Sequence, residues 1–294
     1  MISALSRGMK RLIVNADDFG FTGGVNAGIV RAFKSGIVTS TTIMANGDAF
    51  EDAVSLALAN PGLGVGCHLA VVGGRPVAAP SEIPSLVDRD GALPATLTKL
   101  VIRIARGYAS AEDIAREFRA QVRRVADSGI EITHVDSHKH SATHPRVMEA
   151  LARVATEFGI KCVRNPFESI FAGRRDSQPR WAYAKQFALS AAIAPAAIEF
   201  TRIARKHELK TPDRFFGVKL TGLLDTSAIR RIMEALGDGA AELMCHPGIN
   251  DDDLAKAHTR LRQSRQRELE ALSDPALRAF AQELGIELIS YREL

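Results

Sequence analysis

Leu12-Ile13-Val14-Asn15-Ala16-Asp17-Asp18 runs from an apolar stretch straight into two carboxylates. Two later segments repeat the design. Leu63-Gly64-Val65-Gly66-Cys67-His68 closes an uncharged run on a histidine. Ile132-Thr133-His134-Val135-Asp136-Ser137-His138-Lys139-His140 closes on alternating titratable groups. Short apolar runs of this kind read as buried strands. In α/β proteins, sites assemble at the carboxyl ends of parallel strands. Carboxylates and histidines gathered at three such ends suit a divalent metal with a spare base beside it, which points to hydrolytic chemistry.

Working outward, strand-like runs alternate with helical patterns. Strands are expected near Arg11–Ala16, Ile37–Met44, Gly64–His68, Ile132–Asp136, Lys161–Val163, Phe215–Val218, Ala241–Cys245 and Glu287–Ile289. Helices are expected near Gly24–Ser35, Ala49–Ala59, Ala111–Asp127, Pro145–Phe158, Thr226–Leu236 and Asp252–Leu272. Ser110, three residues before Asp113, suits an N-cap, and Pro145 suits a first helical turn. Gly129 and Gly159 stand where helix-ending glycines belong. Such alternation means a mostly parallel sheet with helices outside. Seven or eight units suggest a distorted (β/α) barrel, with a doubly wound open sheet as the competing arrangement. No phosphate-cradling glycine motif follows the first strand, which counts against nucleotide binding.

Two insertions interrupt the rhythm. Residues 71–94 are rich in Gly and Pro, and residues 167–210 carry Trp181, Tyr183, Phe187 and an alanine-rich helical part. Loops over the carboxyl ends of strands usually select substrate. The expected organisation is one catalytic domain over 1–294 with these two insertions.

The 294 residues are 46% hydrophobic and 24% charged, enough for a large core. The notable uncharged stretch, Gln186–Ile198, contains Pro195 and is too short to span a bilayer. Met1–Lys10 lacks an apolar segment of signal-peptide length, so a cytoplasmic location is expected. Net charge is only +4. The dense basic segment Lys256–Arg267 reads as a solvated helix face, and nucleic-acid binding ranks last. Cys67, Cys162 and Cys245 are too few and too far apart for a disulfide framework or a zinc knuckle.

Individual residues allow two readings each. Asp17 and Asp18 are either an exposed pair at a helix start or, aimed by a turn at Phe19-Gly20, two carboxylates in one mouth. His68 is either a core histidine or a ligand. His134, Asp136, His138 and His140 alternate, so an extended chain puts them on one face, where burial without partners is costly. His246 in Cys245-His246-Pro247-Gly248 is either a turn residue or a general acid or oxyanion donor. A Cys/His nucleophilic pair is disfavoured, because adjacent strand residues diverge. One carboxylate with two histidines suits catalytic Zn²⁺ and also describes non-haem iron sites, and a nearby base and acid favour hydrolysis.

Five segments in order resemble the YdjC/ChbG family of carbohydrate deacetylases. They are Ile13-Val14-Asn15-Ala16-Asp17-Asp18-Phe19-Gly20, Gly36–Thr42, Gly66-Cys67-His68, Thr133–His140 and Glu242–Gly248. The loop Ile83-Pro84-Ser85-Leu86-Val87-Asp88 with Gly91 also resembles the hopanoid biosynthesis-associated branch. The resemblance implies a barrel of the polysaccharide-deacetylase-like type. It implies metal-dependent removal of acetate from an N-acetylated amino sugar, either an oligosaccharide or a glycolipid such as a glycosylated hopanoid. By motif, Asp18, His68 and His138 would hold one divalent ion, Zn²⁺ or Mg²⁺. Asp17 would be the general base, and His246 the general acid or oxyanion donor. Arg164 and His140 would contact the base or the substrate. The alternative is a non-catalytic metal- or sugar-binding protein of the same fold. A homodimer stays open, and neither a nucleic-acid partner nor an integral membrane segment is expected. One departure stands out: Ala142 replaces a further family histidine, and His144 directly precedes Pro145.

Overall fold

Strand β1 (Lys10–Phe19) is the axis of the fold, because three other strands pair with it. Along Lys10–Ala16 it pairs with β6 (Gly239–Cys245). Its other edge is shared. β7 (Ile286–Ile289) takes Lys10–Ile13, and β2 (Ser40–Ile43) takes Asn15–Phe19. The order continues through β3 (Gly64–Leu69) and β4 (Ile132–Ser137) on one side and β5 (Arg214–Phe216) on the other, giving β4-β3-β2-β1-β6-β5. Every strand pairing among the described residues is parallel. Beyond β4, Val163 bridges Val135 and Cys162 bridges Lys210, which carries the curl towards β5. The result is the expected distorted (β/α) barrel. The structure describes residues 9–168 and 194–294, with Ala184, Ala188 and Ala191, and is a computed structural model.

Helices lie between the strands: α1 (Gly23–Ser35), α2 (Phe50–Leu58), α3 (Leu97–Ala105), α4 (Ala111–Asp127) and α5 (Pro145–Glu157). They continue with α6 (Ala197–Lys206), α7 (Thr226–Glu234), α8 (Asp252–Lys256), α9 (Gln263–Leu272) and α10 (Pro275–Glu283). Ser110 Oγ accepts from Asp113 N as the sequence suggests, and Pro145 opens α5. In α4, Ile114, Phe118, Val122 and Val125 form a buried stripe at helical spacing. Along β1, alternate residues Leu12, Val14 and Ala16 join the main core under the helices. The residues between them face inward, where Ile13 packs with Cys162, Ile289 and Tyr291. Among the described residues no helix is long and apolar enough to cross a membrane.

Several elements differ from the sequence expectation. The run expected over Ile37–Met44 pairs only at Ser40–Ile43, and Lys161–Val163 forms isolated bridges rather than a strand. The single helix expected over Asp252–Leu272 is two, α8 and α9. Helices α3 and α10 depart from the expected set, and α6 falls inside the insertion 167–210, where a helical part is expected. Trp181, Tyr183 and Phe187 of that insertion lie outside the described residues.

Residues 70–96 form no helix or strand, yet α4 holds this loop through polar side chains one turn apart. Gln121 bonds both the N–H and the C=O of Ala70, Glu117 accepts the N–H groups of Val77 and Ala78, and Asp113 accepts that of Ser85. Ile83 and Leu86 are buried, and Asp88 closes the turn at Gly91 through the N–H groups of Asp90 and Ala92. The segment 83–91 is thus used to fold the loop.

Candidate active site

The two carboxylates reach one mouth through a backbone irregularity. Between Ala16 and Phe19 the register of β1 against β2 slips, so three steps on β1 face two on β2. Asp18 takes a left-handed φ of 71° there. Such bulges re-aim side chains, and non-glycine residues adopt this backbone at a cost of about 1–3 kcal/mol. The strand continues through Phe19, so the bulge, and not a turn at Phe19-Gly20, does the aiming.

Asp17 points inward and is held on both oxygens. Arg164 Nη2 lies 2.6 Å from Oδ1 and Nη1 lies 2.7 Å from Oδ2, and Asn15 Nδ2 donates to Oδ1 at 3.0 Å. Burial pushes the Asp17 carboxyl up, but the Arg164 charge and hydrogen bonds, with His68 and His246, hold it well below the usual carboxylate range. The same guanidinium reaches Asp136 Oδ2 at 2.5 Å and Glu242 Oε1 at 2.8 Å. Tyr291, near the chain's end, donates to Glu242 Oε2 at 2.5 Å and stacks on His134 with ring centroids 3.6 Å apart. Gly66 makes room: a Cβ there would fall 2.4 Å from the His134 ring.

Asp18, His68 and His138 form a second group above the first. Asp18 Oδ1 is 3.5 Å from His68 Nε2 and 3.4 Å from His138 Nδ1, and the two ring nitrogens are 3.2 Å apart. Tetrahedral coordination with bonds of about 2.0–2.1 Å separates ligand atoms by about 3.3–3.4 Å. Octahedral angles at similar bond lengths give about 3.0 Å. The triangle fits the tetrahedral case. His68 Nδ1 lies 2.6 Å from Asp136 Oδ1, the carboxylate–histidine contact that turns the other ring nitrogen towards a metal. Burial disfavours the His68 imidazolium, but Asp136, Asp17 and Asp18 outweigh it and push the pKa up to about 9. The carboxylates that favour a proton there favour a cation equally. A second cluster, Asp17, His68 and Asp136, has comparable spacing. It is the poorer candidate, because Arg164 already occupies both of its carboxylates.

His246 Nε2 stands 4.0 Å from Asp17 Oδ2. Burial lowers its pKa to about 4 against the pull of Asp17 and Asp18, so the ring is neutral at pH 7. His140 is also neutral, lowered to about 3 by burial and by Arg164, and presents an edge to Phe215 at 6.1 Å. The alternation expected through His140 stops at Ser137. Lys139 and His140 take left-handed φ values of 54° and 52°, so a tight turn places His140. His134 is the core histidine of the set, fully buried and stacked on Tyr291.

The model of the family described as YdjC-like protein matches residues 11–283. The chain belongs to the YdjC-like family. A carbohydrate deacetylase from Geobacillus stearothermophilus is 38% identical over 282 residues, covering 96% of each chain. A chitooligosaccharide deacetylase from Salmonella typhimurium is 34% identical over 293 residues, 96% of this chain and 98% of that one. A crystal structure of a candidate cellobiose-phosphate cleavage protein from Enterococcus faecalis superposes with a TM-score of 0.76 at 25% identity, covering 97% of this chain and 98% of that one.

Two charged residues of this YdjC-like chain were absent from the sequence reading of the site. Arg265 belongs to the basic segment read as a solvated face and Glu268 follows it, yet both are buried on α9 beside Leu269 and Leu272. Their signal was available: each falls on the apolar stripe of its helix. Arg265 Nη2 bonds Asp18 Oδ2. Glu268 accepts the backbone N–H of His246 at 2.6 Å and of Gly222 at 3.2 Å. Burial raises Glu268 to about 7 despite those bonds and Arg265. Its folded pKa exceeds the unfolded one, so the folded state keeps the proton longer. Glu268 therefore favours the fold below about pH 4.5, and that contribution is lost as pH rises to about 7. Melting temperatures taken from pH 4.5 to 7 should fall less in Glu268→Gln than in the wild type; parallel curves would remove Glu268 from this role.

Proposed function

We propose that this protein is a metal-dependent carbohydrate N-deacetylase. The observation that carries the reading is the juxtaposition of the Asp18/His68/His138 triangle with an Arg164-clamped Asp17 and with His246 4.0 Å beyond. The relatives named carbohydrate deacetylase and chitooligosaccharide deacetylase support the same reaction. Asp18, His68 and His138 would hold the ion, and their spacing and two imidazoles favour Zn²⁺ over Mg²⁺. Bound there, a divalent cation supplies Lewis acidity, making water a better nucleophile near neutral pH and polarising the acetyl carbonyl.

The chain's own residues handle the protons. Arg164 keeps Asp17 ionised and its oxygens fixed, so Asp17 meets the attacking water as an oriented acceptor. As the water oxygen bonds to the acetyl carbon, its proton moves to Asp17 Oδ2. His246 begins neutral, takes that proton across the short gap, and delivers it to the amide nitrogen as the C–N bond breaks. Acetic acid and the amino sugar leave, and the second water proton is shed by the acid. Buried Glu268 holds the His246 backbone N–H and so fixes the main chain that carries the ring. His140 and Phe215 form a neutral wall for the sugar.

The substrate class is an N-acetylated amino sugar, soluble or lipid-linked, with a glycosylated hopanoid as the apolar form suggested by the 83–91 segment. The test is acetate release from a panel of both kinds by metal-stripped protein with Zn²⁺ or Mg²⁺ restored. Metal-restored acetate from one class is the expected result, with Zn²⁺ the better ion. Metal uptake without acetate from any sugar would favour the binding-only alternative.

A further inference from the structure

Asp18 has two oxygens with different partners. Oδ1 faces His68 and His138 at 3.5 and 3.4 Å, while Oδ2 is taken by Arg265. Its left-handed backbone sits in a bulge of β1. A carboxylate so placed can offer a cation one oxygen or both. We propose that Arg265 is a positioning residue that keeps Asp18 a one-oxygen ligand. The inference rests on the metal reading above.

The Arg265 backbone is fixed independently of Asp18. Its residue is only 1% exposed and lies inside α9. Its carbonyl accepts the N–H of Gly248 at 3.2 Å, and Glu268, one turn on, holds the His246 backbone. The guanidinium face lies 5.7 Å from the Phe21 ring centroid. The helix thus anchors the base of the Arg265 side chain relative to both the bulge and the His246 loop. Stability alone does not account for the pair. Arg265 Nε and Nη1 are buried without hydrogen-bond partners. Desolvating those donors and a charge costs about as much as the pair returns, and apolar replacements of such pairs are often neutral or stabilising. What the pair does supply is direction. One oxygen from Asp18 with one nitrogen from each histidine makes three ligands, which leaves the fourth position of a tetrahedral ion for water or substrate. A second Asp18 oxygen would occupy that position. Arg265 also places a positive charge beside the ligand, which weakens the pull of Asp18 on any cation.

The experiment is a Co²⁺ titration of the metal-stripped protein, followed in the visible spectrum, with kcat and KM for acetate release measured alongside. Co²⁺ absorbs strongly when four-coordinate and more weakly as ligands are added. In Arg265→Met the absorption should weaken and Co²⁺ should bind about 10-fold tighter, the nearby charge being gone. Turnover should drop about 10- to 100-fold with KM little changed. Arg265→Lys keeps the charge but not the planar fork and should lie between. Tighter metal binding with slower turnover is a combination that loss of structure does not produce. An unchanged spectrum and affinity in Arg265→Met would overturn the proposal. If that variant does not fold, Arg265→Lys decides it: a wild-type spectrum and kcat would count against the fork. A wild type that takes up no Co²⁺ would overturn the metal reading, and the proposal with it.

Discussion

Asp17→Asn is expected to cut acetate release by about 10²–10⁴-fold, the usual worth of a positioned proton acceptor, while metal uptake stays at the wild-type level. Asparagine keeps the shape of the side chain, so the hole it fills is unchanged. Arg164 retains Asp136 and Glu242 as partners, so the substitution does not strand a buried charge. The ligand triangle contains no atom of Asp17. Loss of turnover with intact metal binding and a cooperative melt would therefore separate the proton acceptor from the metal holder. Wild-type rates in this variant would remove Asp17 from the reaction.

Arg164→Met carries the largest expected effect on stability. Asp17, Asp136 and Glu242 converge on this one guanidinium, all of them buried. Removing one member of a buried ion network typically costs about 3–5 kcal/mol, because the remaining charges lose their compensation. At roughly 2–4 °C per kcal/mol for chains approaching this size, the melting temperature should fall by about 10 °C. The pH dependence should change with it. In the wild type, Asp17 sits below its unfolded pKa, so its contribution is present above about pH 4 and is lost on acidification. Burial already raises Glu242 to about 7 against the pull of Arg164; without Arg164, burial pushes it further and pushes Asp17 upward as well, so ionising them opposes folding more strongly. The gap between wild type and variant should therefore be wider at pH 7 than at pH 5. Equal melting temperatures at both would show that Asp136 and His68 alone balance the cluster. Turnover should fall too, since Asp17 loses its bidentate hold.

Much of this arrangement was legible in the chain. Apolar runs ending in Asp17-Asp18, His68, Asp136 and His138 stood out because parallel strands bury both faces and expose chemistry only at their ends. Ser110, Pro145, Gly129 and Gly159 marked helix ends through local geometry, which the structure repeats. What depended on distant segments was harder to see. Helix α3 follows a loop rich in Gly and Pro and has no place in the expected set, and α9 merges with α8 there because charge along both masks the break at 257–262. Arg265 looked like one more solvated cation, since burial of an arginine depends on a partner 247 residues away.

The sequence by itself determined the strand–helix alternation, the barrel class, and which carboxylates and histidines lie at strand ends. Those features follow from periodicity and short-range propensity, which act within a few residues. Only the tertiary structure decided what each polar group does. It split the alternating histidines into a stacked core residue, His134, and a mouth residue, His138. It turned Asp18 by a bulge, gathered three carboxylates on Arg164, and drew Arg265 and Tyr291 inward. The reason is physical: a buried charge is tolerable only where its partners converge, and convergence is a property of the closed sheet rather than of any one strand.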